Sequence, residues 1–247
     1  EVVTALTHLS RRAFLSLLGA FPLAACGQTE SVSESSAAEG GPAYGDTLVQ
    51  ASIGDISGLI PNITSDSASH EIGGLIYSNL VRTDKELRPE GELAERWDIS
   101  KDEMTLTFYL RKGVKWHDGE ELTAADVDFT YRYMIDPKTP TAYGEPFRQI
   151  RRAEVVDRYT YGVTYEKPYA PALLSWGLWI LPRHILEPAW KAGVDLRTTR
   201  QNRFPVGSGP YRFGEWKTGE KVVVEANPEY FEGRPYIGRV VYRIIPD

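Results

Sequence analysis

A single cysteine, Cys26, serves the whole of this 247-residue chain, so no disulfide can form within it and no second thiol can complete a redox pair. Whatever folds must be held by buried apolar surface. Hydrophobic residues make up 42% and charged residues 25%, ordinary for a globular chain and far from the composition of a disordered one. The length allows one large domain or two small ones. Lys and Arg total 28 against 34 Asp and Glu, which leaves no excess positive charge to neutralise phosphates, so nucleic acid is not an expected partner. Six Trp and 14 Tyr supply large amphipathic rings suited to cores and to ligand clefts.

The cysteine also closes an apolar run. Arg11 and Arg12 precede an apolar stretch over 13–25 that ends at Cys26, the anatomy of a secretory signal. A spanning helix needs roughly 20 apolar residues; this run is shorter and contains Pro22, so cleavage is expected rather than spanning. Ser10-Arg11-Arg12-Ala13-Phe14-Leu15 resembles the twin-arginine export signal, and Leu23-Ala24-Ala25-Cys26 resembles the bacterial lipobox. In lipoproteins of that kind the cysteine is acylated and becomes the new N-terminus. The resemblance therefore implies a signal peptide over 1–26 and a lipid anchor at Cys26, with the protein exported to the periplasm or cell surface. The competing reading is a buried N-terminal helix carrying a chance cysteine. Over 27–45 the composition turns to Ser, Ala, Glu and Gly, too polar to offset its ordering entropy, and a flexible tether is expected.

Beyond the tether, residues 47–52 alternate as a strand and 54–69 read as a polar loop containing Pro61. Ile72, Leu75, Ile76 and Leu80 share one helical face, with Ser67 or Ser69 as the expected N-cap. Gly73 and Gly74 each cost that helix about 1 kcal/mol relative to Ala, so close packing is the expected reason for them. Residues 106–110 alternate as a half-buried strand, and a short strand over 114–116 leads into the tight-turn signal Asp118-Gly119. Thr123-Ala124-Ala125-Asp126 reads as a capped helix start, with the helix running to about Met134 and stopping before Asp136-Pro137. Further strands are expected over 154–156 and 159–165, helices over 170–179 and 183–190, and strands over 211–216, 221–225 and 237–245. Thr218-Gly219 joins two of these last strands as a hairpin. Strands and helices intersperse without strict βαβ alternation, which predicts a mixed α/β sheet.

Two blocks carry a resemblance. The first runs through Ala94-Glu95-Arg96-Trp97, then Phe108-Tyr109-Leu110-Arg111-Lys112-Gly113-Val114-Lys115-Trp116-His117-Asp118-Gly119 and Leu122-Thr123-Ala124-Ala125-Asp126-Val127. The second is Pro205-Val206-Gly207-Ser208-Gly209-Pro210-Tyr211 followed by Asn227-Pro228-Glu229-Tyr230-Phe231. Together they resemble the extracellular solute-binding proteins of family 5, the oligopeptide- and dipeptide-binding lipoproteins of ATP-driven importers. Physically the blocks read as scaffold, because turn chemistry already accounts for them. The resemblance implies a periplasmic-binding-protein-like fold of type II, in the cluster with an extra subdomain. On that reading 46–82 and 168–247 form a discontinuous first lobe, 83–167 an inserted subdomain, and the second lobe is missing, since full-length relatives are about twice as long. It also implies a monomer without cofactor that takes a peptide ligand, docks on the permease and ATPase subunits of an importer, and meets the membrane through its lipid anchor.

In that family the loop after the first strand faces the cleft and pairs with extended peptide. Here it maps to Ile63-Thr64-Ser65-Asp66-Ser67, which makes Ser65, Asp66 and Ser67 candidate ligand contacts, against the plain alternative of a solvated loop. Tyr143 and Trp176 are candidate cleft walls, against the alternative of core. No catalytic constellation is found. Gly207-Ser208-Gly209 lacks the glycine spacing of a nucleophile elbow, and His8, His70, His117 and His184 show no metal-ligand spacing, so neither enzyme activity nor a metal site is expected. A nickel chelate, haem or an oligosaccharide remains an alternative ligand. A surface lipoprotein without a transport role, and more remotely a hydrolase, are the alternatives of other classes.

Overall fold

The computed structural model describes residues 42–245. Arg11, Arg12, Cys26, the signal peptide and the tether up to residue 41 lie outside the described residues. In chain order the elements are β1 (Gly45–Ser52), α1 (Ser67–Ile76), β2 (Val81–Thr83), β3 (Pro89–Gly91), β4 (Ala94–Ile99), β5 (Thr105–Leu110) and α2 (Ala124–Ile135). After them come β6 (Ile150–Asp157), β7 (Thr160–Tyr165), α3 (Ala172–Ser175), α4 (Arg183–Lys191), β8 (Tyr211–Lys217), β9 (Lys221–Ala226) and β10 (Ile237–Ile244).

One four-stranded sheet has the order β1-β10-β9-β8 and a second the order β4-β5-β7-β6, with a two-stranded ribbon of β2 and β3. The first sheet is mixed, as the element pattern predicts. β1 lies parallel to β10, with Leu48 beside Val240, while β9 is antiparallel to both β10 and β8. Val222, Val223 and Val224 are buried in succession, the mark of a strand covered on both faces. The β8–β9 turn falls at Thr218-Gly219, where Gly219 takes φ +72°, a conformation that favours glycine.

In the second sheet the alternation over 105–110 puts Leu106, Phe108 and Leu110 inside. α2 begins with the expected box: Thr123 N–H donates to Asp126 Oδ2 at 2.8 Å. The other oxygen of Asp126 accepts from Arg183 N–H at the start of α4 at 3.1 Å, and Leu181 N–H donates to Thr130 Oγ1 at 2.9 Å. Two helices are thus tied at their N-terminal ends through one buried carboxylate, satisfying donors that helix starts leave open.

Three expectations are corrected. Residues 170–179 form only the single turn α3, because beyond it the backbone bonds laterally: Ile180 N–H donates to Ser78 O at 3.0 Å, and Asn79 bridges Trp179. Residues 114–116 make an isolated bridge, Lys115 with Glu121, around the Asp118-Gly119 turn rather than a strand. α1 stops at Ile76, so Leu80 is buried but outside it. Gly209 N–H donates to Ile76 O at 2.8 Å, which satisfies a terminal carbonyl and ends the helix there. The strands β2, β3 and β4 have no counterpart in the sequence reading. Among the described residues no helix is long and apolar enough to cross a membrane.

Candidate functional site

The segment between β1 and α1 leaves the sheet exposed at Ile53 and Gly54, is buried from Gly58 to Thr64 and is exposed again at Ser65. Leu59 and Ile60 are in the core, and Pro61–Ile63 make one 3-10 turn. Asn62, wholly buried, donates through Nδ2 to Trp179 O at 3.0 Å, and its carbonyl accepts from Thr141 Oγ1 at 2.7 Å. One side chain and one carbonyl therefore gather three distant segments at a single point.

From there the backbone is extended, with Thr64 at φ −104°, ψ 163° and Asp66 at φ −86°, ψ 144°. Ser65 stands exposed between them, and among the described residues its N–H and C=O pair with no other protein group. Asp66, not Ser67 or Ser69, is the N-cap of α1: its Oδ1 accepts from Ser69 N–H at 2.8 Å and its Oδ2 from Ser57 Oγ. Burial works to raise the carboxyl pKa, but the hydrogen bonds from Ser57 and Ser69 outweigh it and hold it below its ordinary value. This carboxylate serves the helix start and the loop before it.

One turn into α1, His70 Nε2 lies 3.0 Å from Thr64 O and 3.3 Å from Tyr143 Oη. Its ring centroid is 5.4 Å from that of Tyr143 and 5.1 Å from that of Trp179. Tyr143 reaches this position because the chain turns tightly behind it: a Cβ on Gly144 would come 2.6 Å from Met134 O. The result is a short extended segment with open main-chain groups, flanked by a half-buried tyrosine, histidine and tryptophan.

Tyr143 is brought, through His70, against the segment that carries Ser65, Asp66 and Ser67. Trp176 is not, and its assignment as a cleft wall is corrected. It is 1% exposed, with its ring 5.0 Å from Phe147, 5.5 Å from Phe108 and 5.6 Å from Tyr161, so it fills the core of the second sheet. The tryptophan at the face is Trp179. His70 was also missed. Its spacing of four from Asp66 puts both on one side of the helix, but nothing local links it to Tyr143.

The two motif blocks meet behind the site and hold the C-terminal end of α1. His117 Nδ1 accepts from Gly207 N–H at 3.2 Å and Nε2–H donates to Gly209 O at 3.1 Å, while His117 N–H donates to Gly207 O at 2.8 Å. Only the neutral ring with its proton on Nε2 satisfies both ring contacts. Burial pushes the His117 pKa down to about 4. A Cβ on Gly207 would lie 1.9 Å from Ile76 O and one on Gly209 2.6 Å from Leu75 O, so both positions require glycine for close backbone approach.

A separate cavity of about 470 Å³ opens between the C-terminal ends of α2 and α4, lined among others by Tyr133, Lys138, Thr139, Trp190 and Arg197. Its main charges are already paired: Arg197 with Asp195 at 2.6 Å, and Arg132 and Lys191 with Glu187 at 3.1 Å each. Among the described residues no group of three or more His, Cys, Asp or Glu is placed to hold a metal ion.

Comparison with known proteins follows the same lines. Residues 88–247 match the family model described as bacterial extracellular solute-binding proteins, family 5 Middle. The chain is 36% identical over 249 residues to the oligopeptide-binding protein AppA of Bacillus subtilis, covering 98% of this chain and 45% of that protein. It is 34% identical over 251 residues to heme-binding protein A of Haemophilus influenzae, covering 91% and 45%. The structure of B. subtilis AppA in complex with a nonapeptide superimposes with a TM-score of 0.77 at 35% identity, over 84% of this chain and 41% of that one. NikZ from Campylobacter jejuni in complex with Ni(L-His) gives a TM-score of 0.73 at 32% identity, over 81% and 39%. The chain spans less than half the length of each of these proteins.

Proposed function

The chain belongs to the bacterial extracellular solute-binding proteins of family 5, which bind rather than transform their ligands, and from that premise we propose that the whole protein captures peptides outside the cytoplasmic membrane for an ATP-driven importer. The observation that carries the peptide reading is the extended run through Thr64, Ser65 and Asp66, with the Ser65 N–H and C=O unpaired among the described residues. An extended peptide can add to such a segment by main-chain hydrogen bonding, a mode that fixes the ligand backbone and tolerates many side chains. Tyr143 and Trp179 bound the segment with rings that offer apolar contact and a polar edge. Relatives named for haem and for a nickel complex make those ligands the competing outcomes.

In this reading 46–82 and 168–247 contribute one lobe and 83–167 a subdomain inserted in it, and ligand stabilises a closed form that a permease recognises. Export by the Arg11-Arg12 signal and anchoring through Cys26 belong to the same proposal. Native mass spectrometry of the full-length protein, purified without added ligand, tests it. Short peptides of mixed sequence in the bound fraction are the expected result, and a uniform haem or nickel complex would overturn the peptide assignment.

A further inference from the structure

The cavity between the C-terminal ends of α2 and α4 collects groups that the fold leaves unspent. Two of them are hydroxyls on buried residues: Tyr133 is 2% exposed and Thr139 9%, and both line the cavity. Thr139 Oγ1 completes no hydrogen bond among the described residues, a costly state for a buried hydroxyl. Burial pushes the Tyr133 phenol well above its ordinary pKa, so it keeps its proton. The side chains that act on that phenol, Asp195, Thr139, Arg197 and Asp136, all belong to the cavity wall, which places the hydroxyl at the cavity.

The charges divide unevenly. Both acids on the wall are saturated within the chain. Asp136 accepts from Lys138 N–H at 2.9 Å and from Trp190 Nε1 at 2.7 Å, and Asp195 accepts from Arg197 N–H at 2.9 Å and from its guanidinium at 2.6 Å. Arg132 and Lys191 share Glu187, and they stand in the last turns of α2 and α4, where they offset the partial negative charge of the helix ends. Lys138 is exposed, and among the described residues its ammonium pairs with no carboxylate. What remains is one unbalanced positive charge beside two hydroxyls that can donate.

We infer that this cavity is a binding site for a small organic anion, a monocarboxylate with an apolar body. Its volume of about 470 Å³ falls among small-molecule sites, roughly 300–1,000 Å³, and exceeds what an inorganic ion fills. Trp190, whose one polar side-chain atom is spent on Asp136, offers the body an apolar wall together with Val194 and Leu196. A single carboxylate would balance Lys138 and accept from Tyr133. None of residues 63–67 lines the cavity, so peptide at that face and an anion here share no wall.

Proton–nitrogen NMR titrations of the 247-residue protein test the site with three probes: 3-phenylpropionate, its neutral isostere 3-phenylpropanamide, and inorganic phosphate as an anion without a body. The acid is expected to shift the amides of Lys138, Thr139 and Gly193, with the isostere and phosphate each about tenfold weaker. Lys138→Met and Tyr133→Phe should each weaken the acid about fivefold, the weight of one hydrogen bond, while Lys138→Arg, which keeps the charge, stays within about twofold. Unchanged amide positions away from the cavity show that each variant is folded. Equal affinity for acid and isostere, or an acid affinity indifferent to Lys138→Met, would overturn the anion assignment. Phosphate binding as tightly as the acid would overturn the apolar body. Shifts confined to residues 63–67, or no shifts at all, would overturn the site.

Discussion

Lowering the pH should loosen the joint at which His117 holds Gly207 and Gly209. In the folded chain the ring is neutral, accepting at Nδ1 and donating at Nε2, and its pKa is pushed from 6.5 down to about 4 by burial. Protonation would turn Nδ1 into a donor facing the Gly207 N–H, so the folded state resists it. Above pH 6.5 the ring is neutral in folded and unfolded chains alike, and it contributes no pH dependence. Between 6.5 and about 4 the unfolded chain takes up a proton that the folded chain refuses, and stability falls as the pH falls. At about 1.36 kcal/mol per pH unit that window corresponds to about 3 kcal/mol, and to about 2 kcal/mol once partial solvent access to the ring is allowed for. Urea denaturation from pH 7.5 to 4, compared between wild type and His117→Asn, measures it. The variant is expected to be less stable at pH 7.5, having lost ring contacts, yet flatter with pH by about 2 kcal/mol. Carboxylates common to both proteins cancel in the difference. Parallel curves, or an NMR titration placing His117 near 6.5, would refute the reasoning.

Glu92 should act in the opposite direction. It is 7% exposed, accepts from Asn79 N–H at 3.0 Å, and is raised to about 7 by burial, so the folded chain keeps a proton that the unfolded chain releases above 4.5, and stability falls as pH rises through that window. Glu92→Gln is expected to gain about 2 kcal/mol at pH 8 and nothing at pH 4 by the same denaturation assay. Gly207→Ala, whose Cβ would meet Ile76 O at 1.9 Å, is expected to lose more than about 3 kcal/mol or fail to fold, seen as a collapsed thermal melt; an unchanged melting temperature would mean the approach is not that close. Trp176→Ala should cost about 3 to 5 kcal/mol as a core truncation, and ligand affinity measured below its melting point should not change.

Much of the local structure was legible because its causes lie within a few residues. The Thr123 and Asp126 box, the Asp118-Gly119 turn and the Thr218-Gly219 hairpin each follow from backbone geometry that a side chain or a missing Cβ satisfies on the spot. Alternation over 106–110 named its inner face correctly, since side chains on a strand have no choice but to alternate. The 170–179 segment failed as a helix for the converse reason: its backbone groups are claimed by residues 78–81, and no local pattern records a lateral partner. Asp66, one of the candidate ligand contacts, is also the cap of α1. The sequence offered three polar residues in a row, and which of them caps depends on where the helix is made to begin.

Sequence by itself determined that the chain is a mixed α/β protein held by an apolar core without disulfides, and it located the segment before α1 as the candidate site. Only the tertiary structure decided that Trp176 is core while Trp179, three residues on, stands at the site, that Leu48 pairs with Val240, and that His70 meets Tyr143 from 73 residues away. Hydrogen-bond rules act over a few residues and can be read from them. Burial belongs to the whole packed arrangement, so which of two similar aromatic rings faces solvent is settled only when every other element is in place.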